Sequence, residues 1–332
     1  MLVPAPSPFR NKRCLITGGA GFIGSNLARR LVGQQAQVTL VDSLYPQYGG
    51  NLFNIREIND ALTITIADVR DEDIMAKLIQ GQDFLFNLAG QTSHTDSMLE
   101  PFTDLEINCR AQLSILEACH KHNPGVKIVY TSTRQIYGSP DYLPVDEKHP
   151  LHPADVNGIN KMAGEWYHIL YNNVYGIRAV SLRLTNTYGP CMRVKDARQT
   201  FLGIWLRKLI QGQSIDVFGD GLQLRDFNFV DDVIDAILAA ACSEAANGKI
   251  YNLGSDEVIS LKDLAQLLVQ INNGGQWQVV PFPPERKAID IGDYYANWQL
   301  AHAELGWSPH VSLKDGLQRT LNYYRQHAEH YW

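Results

Sequence analysis

The segment Thr17-Gly18-Gly19-Ala20-Gly21-Phe22-Ile23-Gly24 constrains the fold of this chain more than any other. It follows an apolar run, Arg13 to Thr17, and precedes Phe22, Ile23, Leu27 and Leu31, which fall on one helical stripe. Gly18, Gly21 and Gly24 satisfy G-x-x-G-x-x-G, and Gly19, Gly21 and Gly24 satisfy G-x-G-x-x-G. Side chains at these positions would block the tight turn, the approach of a pyrophosphate or the helix–strand contact. The amides that open the helix then face the phosphates. The segment therefore reads as a dinucleotide-binding turn, with Gly18, Gly21, Phe22, Ile23 and Gly24 against the cofactor. A second apolar run ends at Asp42, 18 residues beyond Gly24. An acid there grips the adenosine ribose and repels a 2′-phosphate, which favours NAD over NADP. Asp68-Val69 closes a third run, either contacting the adenine or capping the helix at Asp71-Glu72-Asp73.

Further short apolar runs recur with helical patterns between them. Val38–Asp42, Thr63–Ile66, Phe84–Leu88, Lys127–Tyr130 and Ala179–Leu182 read as strands buried on both faces, as in a parallel sheet. Leu105, Ile107, Leu113, Ile115 and Leu116 mark one longer helix before Tyr130. This alternation predicts an α/β fold, a Rossmann doubly wound parallel sheet with a smaller C-terminal substrate-binding lobe. The expected division is 1–187 for the NAD-binding domain and 188–332 for the lobe. Within the latter, 229–254 returns to the sheet through a helix near Asp232–Ala241 and a strand at Lys249–Asn252.

A net charge of −6 gives no basic face for nucleic acid. Five scattered cysteines, never spaced C-x-x-C, read as thiols in a reducing compartment, not as disulfides or a metal site. Met1 to Arg10 carries three prolines and no apolar stretch, so it reads as an irregular terminus, not a signal peptide. No run approaches the roughly 18 apolar residues of a membrane span. A cytoplasmic protein without a membrane partner is the expectation.

Five later segments, taken in order, resemble the extended short-chain dehydrogenase/reductase family, which includes NAD-dependent nucleotide-sugar epimerases and dehydratases. They are Asn87-Leu88-Ala89-Gly90-Gln91, Thr131-Ser132-Thr133-Arg134-Gln135-Ile136-Tyr137-Gly138, Thr185-Asn186-Thr187-Tyr188-Gly189-Pro190, Gly219-Asp220-Gly221 with Leu224-Arg225-Asp226-Phe227, and Val230-Asp231-Asp232-Val233. The resemblance implies that Leu88, Ala89, Gly90 and Gln91 line the cofactor and that Thr133 bonds the reacting hydroxyl. It implies that Lys161 holds the nicotinamide ribose and that Asn186 and Arg225 lie along the substrate, a nucleotide-diphosphate sugar. Arg193, Arg198 and Arg286 are further candidates for its diphosphate. The family also pairs two such chains through the helices near Glu106–His120 and Lys161–Tyr175. A homodimer anchored by Trp166, Tyr167 and Leu170 is then expected, unless those side chains belong to the core.

The resemblance breaks at one place. The family's base is the tyrosine of a Tyr-x-x-x-Lys pair, and here Asn157 precedes Lys161; none of the fifteen tyrosines has a lysine four residues later. An amide has no useful pKa near neutrality, although Asn157 can orient substrate. His94 lies on the loop after the fourth strand, and imidazole is the side chain type best suited to moving protons near neutral pH; Cys191 is a second substitute. Asp155 is a third, unless it only caps the helix. Dehydratases of the family carry Asp-Glu where this chain has Arg134-Gln135, and related decarboxylases carry Glu at Gln135. Both chemistries are disfavoured, and Arg134 and Gln135 are read as substrate contacts, Arg134 toward a carboxylate or phosphate unless it pairs with a nearby acid. Epimerisation by transient oxidation, at C4, makes the fewest demands. The alternatives are a nucleotide-sugar dehydrogenase, reductase or, despite those positions, dehydratase, and a catalytically silent NAD-binding regulatory protein.

Overall fold

The structure is a computed structural model, and it describes residues 7–45, 47–48, 50–196 and 200–332. Seven parallel strands form the main sheet: β1 (Arg13–Thr17), β2 (Gln37–Asp42), β3 (Leu62–Ile66), β4 (Phe84–Asn87), β5 (Lys127–Thr133), β6 (Arg178–Leu184) and β7 (Ile250–Leu253). Their spatial order is β7-β6-β5-β4-β1-β2-β3. The order reverses between β1 and β4, which pair in the register Thr17↔Asn87. In an open α/β sheet ligands bind at such a switch point, beyond the carboxyl ends of the strands.

The sheet is the α/β Rossmann-like architecture that the apolar runs predict. β5 is buried along nearly its whole length, as a central parallel strand requires. Helix α1 (Phe22–Gly33) follows β1 directly and buries Phe22, Leu27, Ala28 and Leu31 against it. The helix pattern before Tyr130 is not continuous. Helices α2 (Glu72–Ile79), α3 (His94–Leu99) and α4 (Pro101–Leu105) lead into a π-helical turn at Glu106–Arg110, and α5 (Ala111–His122) follows. The π turn inserts one residue into the hydrogen-bond ladder, a device often found at functional sites. Here it carries the fully buried Asn108. Helix α6 (Val156–Tyr175) is capped by the Asp155 carboxylate and ends at Gly176, whose φ of 69° suits a left-handed C-cap.

The C-terminal part joins the same core. β7 pairs with β6 from Ile250↔Ser181 to Leu253↔Leu184, so this strand closes the sheet edge. One cluster of buried apolar side chains runs from Cys14, Ile16 and Leu27 through Leu202 and Trp205 to Leu317 and Tyr324. Among the described residues no helix is long and apolar enough to cross a membrane.

Candidate active site

A cleft of about 380 Å³ opens along the carboxyl ends of β1, β2, β4 and β5. Gly18, Gly21, Phe22, Ile23 and Gly24 form its floor, with Asp42 and Asp68-Val69 at one end. The glycines are needed sterically. A Cβ on Gly24 would sit 2.2 Å from the Gly18 carbonyl oxygen. Gly18 itself has a φ of 67°, and a Cβ there would meet the Ala89 backbone at 3.1 Å. Helix α1 has Gly21 as its N-cap and no side-chain cap, so its opening amides are left for an anion. Asp42 accepts the amides of Ala20 at 3.0 Å and Leu44 at 2.8 Å, while burial raises its pKa against those amides. Asp68 is held by Arg70 in a two-point ion pair, at 2.9 and 2.7 Å, which lowers its pKa. The helix cap is Asp71, which accepts from Ile74, so Asp68 is released from that role.

The middle of the cleft is bordered by Leu88, Ala89, Gly90 and Gln91. Thr17 Oγ1 fixes this loop by accepting the amides of Leu88 and Ala89, each at 3.0 Å. Lys161 reaches in from α6 and donates to the Thr131 carbonyl at 2.9 Å. Burial pulls its pKa down to about 8, against the opposing influence of Asp104 and Glu165. Thr133 borders the cleft and caps a short turn at Arg134–Tyr137 by accepting the Gln135 amide.

Asn157 also borders the cleft, but its amide is committed. Nδ2 donates to Asp104 Oδ2 at 2.9 Å and to the Gln91 carbonyl at 2.8 Å. The same Asp104 accepts from Asn108 at 3.0 Å and from Asn160 at 2.8 Å. Three amides thus satisfy one fully buried carboxylate. Sequence reasoning missed this knot, although Asp104 and Asn108 stand at i, i+4 and Asn157 and Asn160 at i, i+3, spacings that share a helix face.

His94 opens α3 and borders the same cleft as Thr133. Its Nδ1 is buried and lies 2.9 Å from Oδ2 of Asp155, whose side chain is wholly inaccessible. The approach is close but out of line for a hydrogen bond, as is common before substrate aligns such pairs. The side chain is 35% accessible, so the rest of the ring is open to the cleft. Asp155 does cap α6, through Gly158 at 2.7 Å, and its second oxygen also accepts from Gln135 at 2.9 Å. Gln135 is therefore buried behind the site, bound to Asp155 rather than facing substrate.

Six other expectations divide. Asn186 borders the cleft and donates to the Asp226 carbonyl at 2.8 Å. Arg286 borders it too, its guanidinium 5.4 Å from the Phe218 ring centre. Arg225 does not border the cleft. It is buried, donates to the carbonyls of Leu224 and Gly292 and lies 3.6 Å from Asp290. Burial, and then Arg134, bring its pKa down to about 10. Arg193 makes a two-point pair with Asp196, at 3.0 and 2.6 Å, beside a second, smaller cavity. Arg198 lies outside the described residues. Cys191 lines that second cavity and not the cleft, with its thiol 3.4 Å from the Tyr323 hydroxyl.

These features define a nucleotide-cofactor enzyme of the Rossmann type. Residues 14–254 match the NAD dependent epimerase/dehydratase family, and the chain belongs to it. It is 31% identical over 323 residues to a UDP-glucose 4-epimerase of Mycolicibacterium smegmatis, covering 96% of this chain and all of that one. Among solved structures it resembles the UDP-glucose 4-epimerase of Thermotoga maritima with UDP-glucose, at 29% identity and a TM-score of 0.86, over 95% of this chain and 99% of that one. It also resembles the Thermus thermophilus UDP-glucose 4-epimerase in complex with NAD, at 27% identity and a TM-score of 0.84, over 94% and 99% of the two chains. The cofactor is NAD. The glycine cradle, the uncapped start of α1, Asp42 and the cleft-facing Lys161 fit that group.

Proposed function

We propose that this chain epimerises a nucleotide-diphosphate sugar by transient oxidation of a ring hydroxyl, at C4. The observation that supports this most is the position of His94 against the buried Asp155, on the rim that also carries Thr133 and Lys161. Bound NAD supplies a reversible acceptor for a carbon-bound hydrogen and its electron pair. His94 takes the hydroxyl proton on its cleft-facing nitrogen, while Asp155 holds the ring and stabilises its cationic form. Thr133 orients the hydroxyl. Lys161 binds the cofactor ribose and adds positive charge where the oxygen becomes negative. In the return step His94 gives its proton back, so neither acid nor cofactor is consumed. Asn157, in the position of the family's tyrosine, keeps the Gln91 loop and α6 together through Asp104.

Dehydration and decarboxylation are disfavoured because positions 134 and 135 carry no carboxylate. The relatives' own activity on UDP-glucose supports C4 as the reacting carbon. A homodimer fits the surface of α6, where Ile159, Trp166, Leu170 and Val174 form an exposed apolar stripe. Tyr167, by contrast, packs inward.

The test is an NMR assay of the protein with NAD and a panel of UDP-, GDP-, CDP- and dTDP-sugars. A new epimer without net NADH is the expected result. Net NADH with an oxidised sugar would make the chain a dehydrogenase instead, and no turnover of any sugar would remove the epimerase reading.

A further inference from the structure

Among the described residues two arginines, Arg134 and Arg286, border the cleft, and of the two Arg134 has a buried Nε without a partner. It begins the short turn after β5, directly beyond Thr133, and borders the cleft. Consecutive residues are only about 3.8 Å apart at Cα. Its side chain therefore starts within one sugar ring's breadth of the hydroxyl that Thr133 would bind. Its guanidinium centre lies 5.6 Å from the Tyr294 ring centre, and its Nε is buried with no acceptor. Asp226, Asp290 and Asp155 are near enough to favour its charge, yet none forms an ion pair with it. Arg225 opposes it from the other side. The contrast with the neighbouring arginines is sharp. Arg193 holds Asp196, Arg183 holds Glu165, and Arg225 is satisfied by two carbonyls.

A half-buried guanidinium whose inner Nε lacks an acceptor is costly, and native structures seldom leave such a group unless a ligand completes it. The planar fork suits a carboxylate or a phosphate held at two points. Resting on the epimerase reading above, we infer that Arg134 binds a carboxylate on the sugar itself, so that the substrate class is the nucleotide-diphosphate hexuronic acids. In such a sugar the carboxylate is attached to C5, next to the reacting C4. Arg134 then sets substrate choice while Thr133, its chain neighbour, bonds the C4 hydroxyl.

The experiment is calorimetric titration of the NAD-loaded protein with UDP, UDP-glucose and UDP-glucuronate, repeated with Arg134→Met and Arg134→Lys. Wild type is expected to bind UDP-glucuronate about 10- to 100-fold more tightly than UDP-glucose, the range of charge-assisted hydrogen bonds. Arg134→Met should bring that ratio close to one and leave UDP unchanged, with Arg134→Lys in between. The wild-type comparison alone decides the matter if a variant does not fold. Equal affinity for the two sugars, or no binding of any of the three, overturns the inference. A loss shared equally by UDP overturns it too, because Arg134 would then serve the diphosphate. Melting of the ligand-free protein gives a second readout. Arg134→Met should melt at or above the wild-type temperature if the cation waits for a ligand, and below it if Arg134 is a structural tie. Selective binding of the uronate without any new epimer would support the carboxylate site while removing the epimerase reading. Turnover of neutral sugars with no preference would do the reverse.

Discussion

His94 and Asp226 show how burial selects what a single side chain can do. Asp155 is wholly inaccessible and is shared between a helix cap and Gln135, with Nδ1 of the partly open His94 ring 2.9 Å from its second oxygen. His94→Gln keeps a polar side chain but removes the proton acceptor. Its kcat should fall by about 10²–10⁴-fold, the usual worth of general base catalysis, with NAD affinity within a few-fold of wild type. Steady-state kinetics and cofactor titration read both, and an unchanged kcat would remove His94 from the chemistry. Asn157→Tyr should not raise activity. A ring in place of a 2% exposed amide would break the Asp104 knot. Asp226 gives a pH test. Burial raises its pKa to about 7, against the amides of Ala296 and Ser255 and the charge of Arg134. A raised acid contributes stability that is full below its unfolded pKa and is lost as pH rises through about 7. Asp226→Asn mimics the protonated form at every pH. Urea unfolding should find it close to wild type near pH 4, and more stable by up to about 4 kcal/mol above pH 8. A difference independent of pH would contradict the assignment.

At the scale of elements, the site depends on how α6 is held against the sheet. Glu165 lies one turn beyond Lys161 and accepts three hydrogen bonds from Arg183 of β6 and one from Ser181. Both ionic side chains are at most 2% exposed. Removing one partner strands the other, so Arg183→Met should cost about 3–5 kcal/mol in denaturant unfolding. A cost under about 1 kcal/mol would show that the pair does not anchor the helix. The turn into α1 should be equally intolerant. Gly24→Ala places a methyl 2.2 Å from a carbonyl oxygen and should abolish NAD binding by fluorescence titration. These elements could be read from the chain because their causes are local. β-branched runs, glycine spacing and a helix with Lys161 four residues after Asn157 all leave a pattern in sequence. What could not be read is set by contacts between elements. The π turn at Glu106–Arg110 leaves the apolar periodicity of a helix intact. The capping role of Asp155 follows from its place before α6, but its approach to His94 joins residues 61 positions apart. Arg225 and Cys191 occupy the segments expected of them, yet packing turns both away from the cleft.

Over the whole molecule, one face of the main sheet shares its core with the C-terminal part, the face covered by α2, α5 and α6 packs a second core, and the cleft lies where the sheet order reverses. The outer face of α6 is left apolar, with Trp166 and Leu170 51% and 49% exposed. Side chains of that size at i, i+4 suit a helix-to-helix contact between two copies. Trp166→Lys combined with Leu170→Glu should convert a dimer to a monomer in light scattering without changing the fold. A monomeric wild type would sink the homodimer.

The proposed reaction is oxidation followed by return of hydrogen to the same carbon. It is tested most directly by NMR of the reaction in D₂O, with NAD and the nucleotide sugar that the panel selects. A new C4 epimer that retains protium on its ring carbons, with no accumulated NADH, is the expected result. Deuterium entering the inverted carbon would mean that it was deprotonated to solvent rather than oxidised, and would rule out epimerisation by transient oxidation.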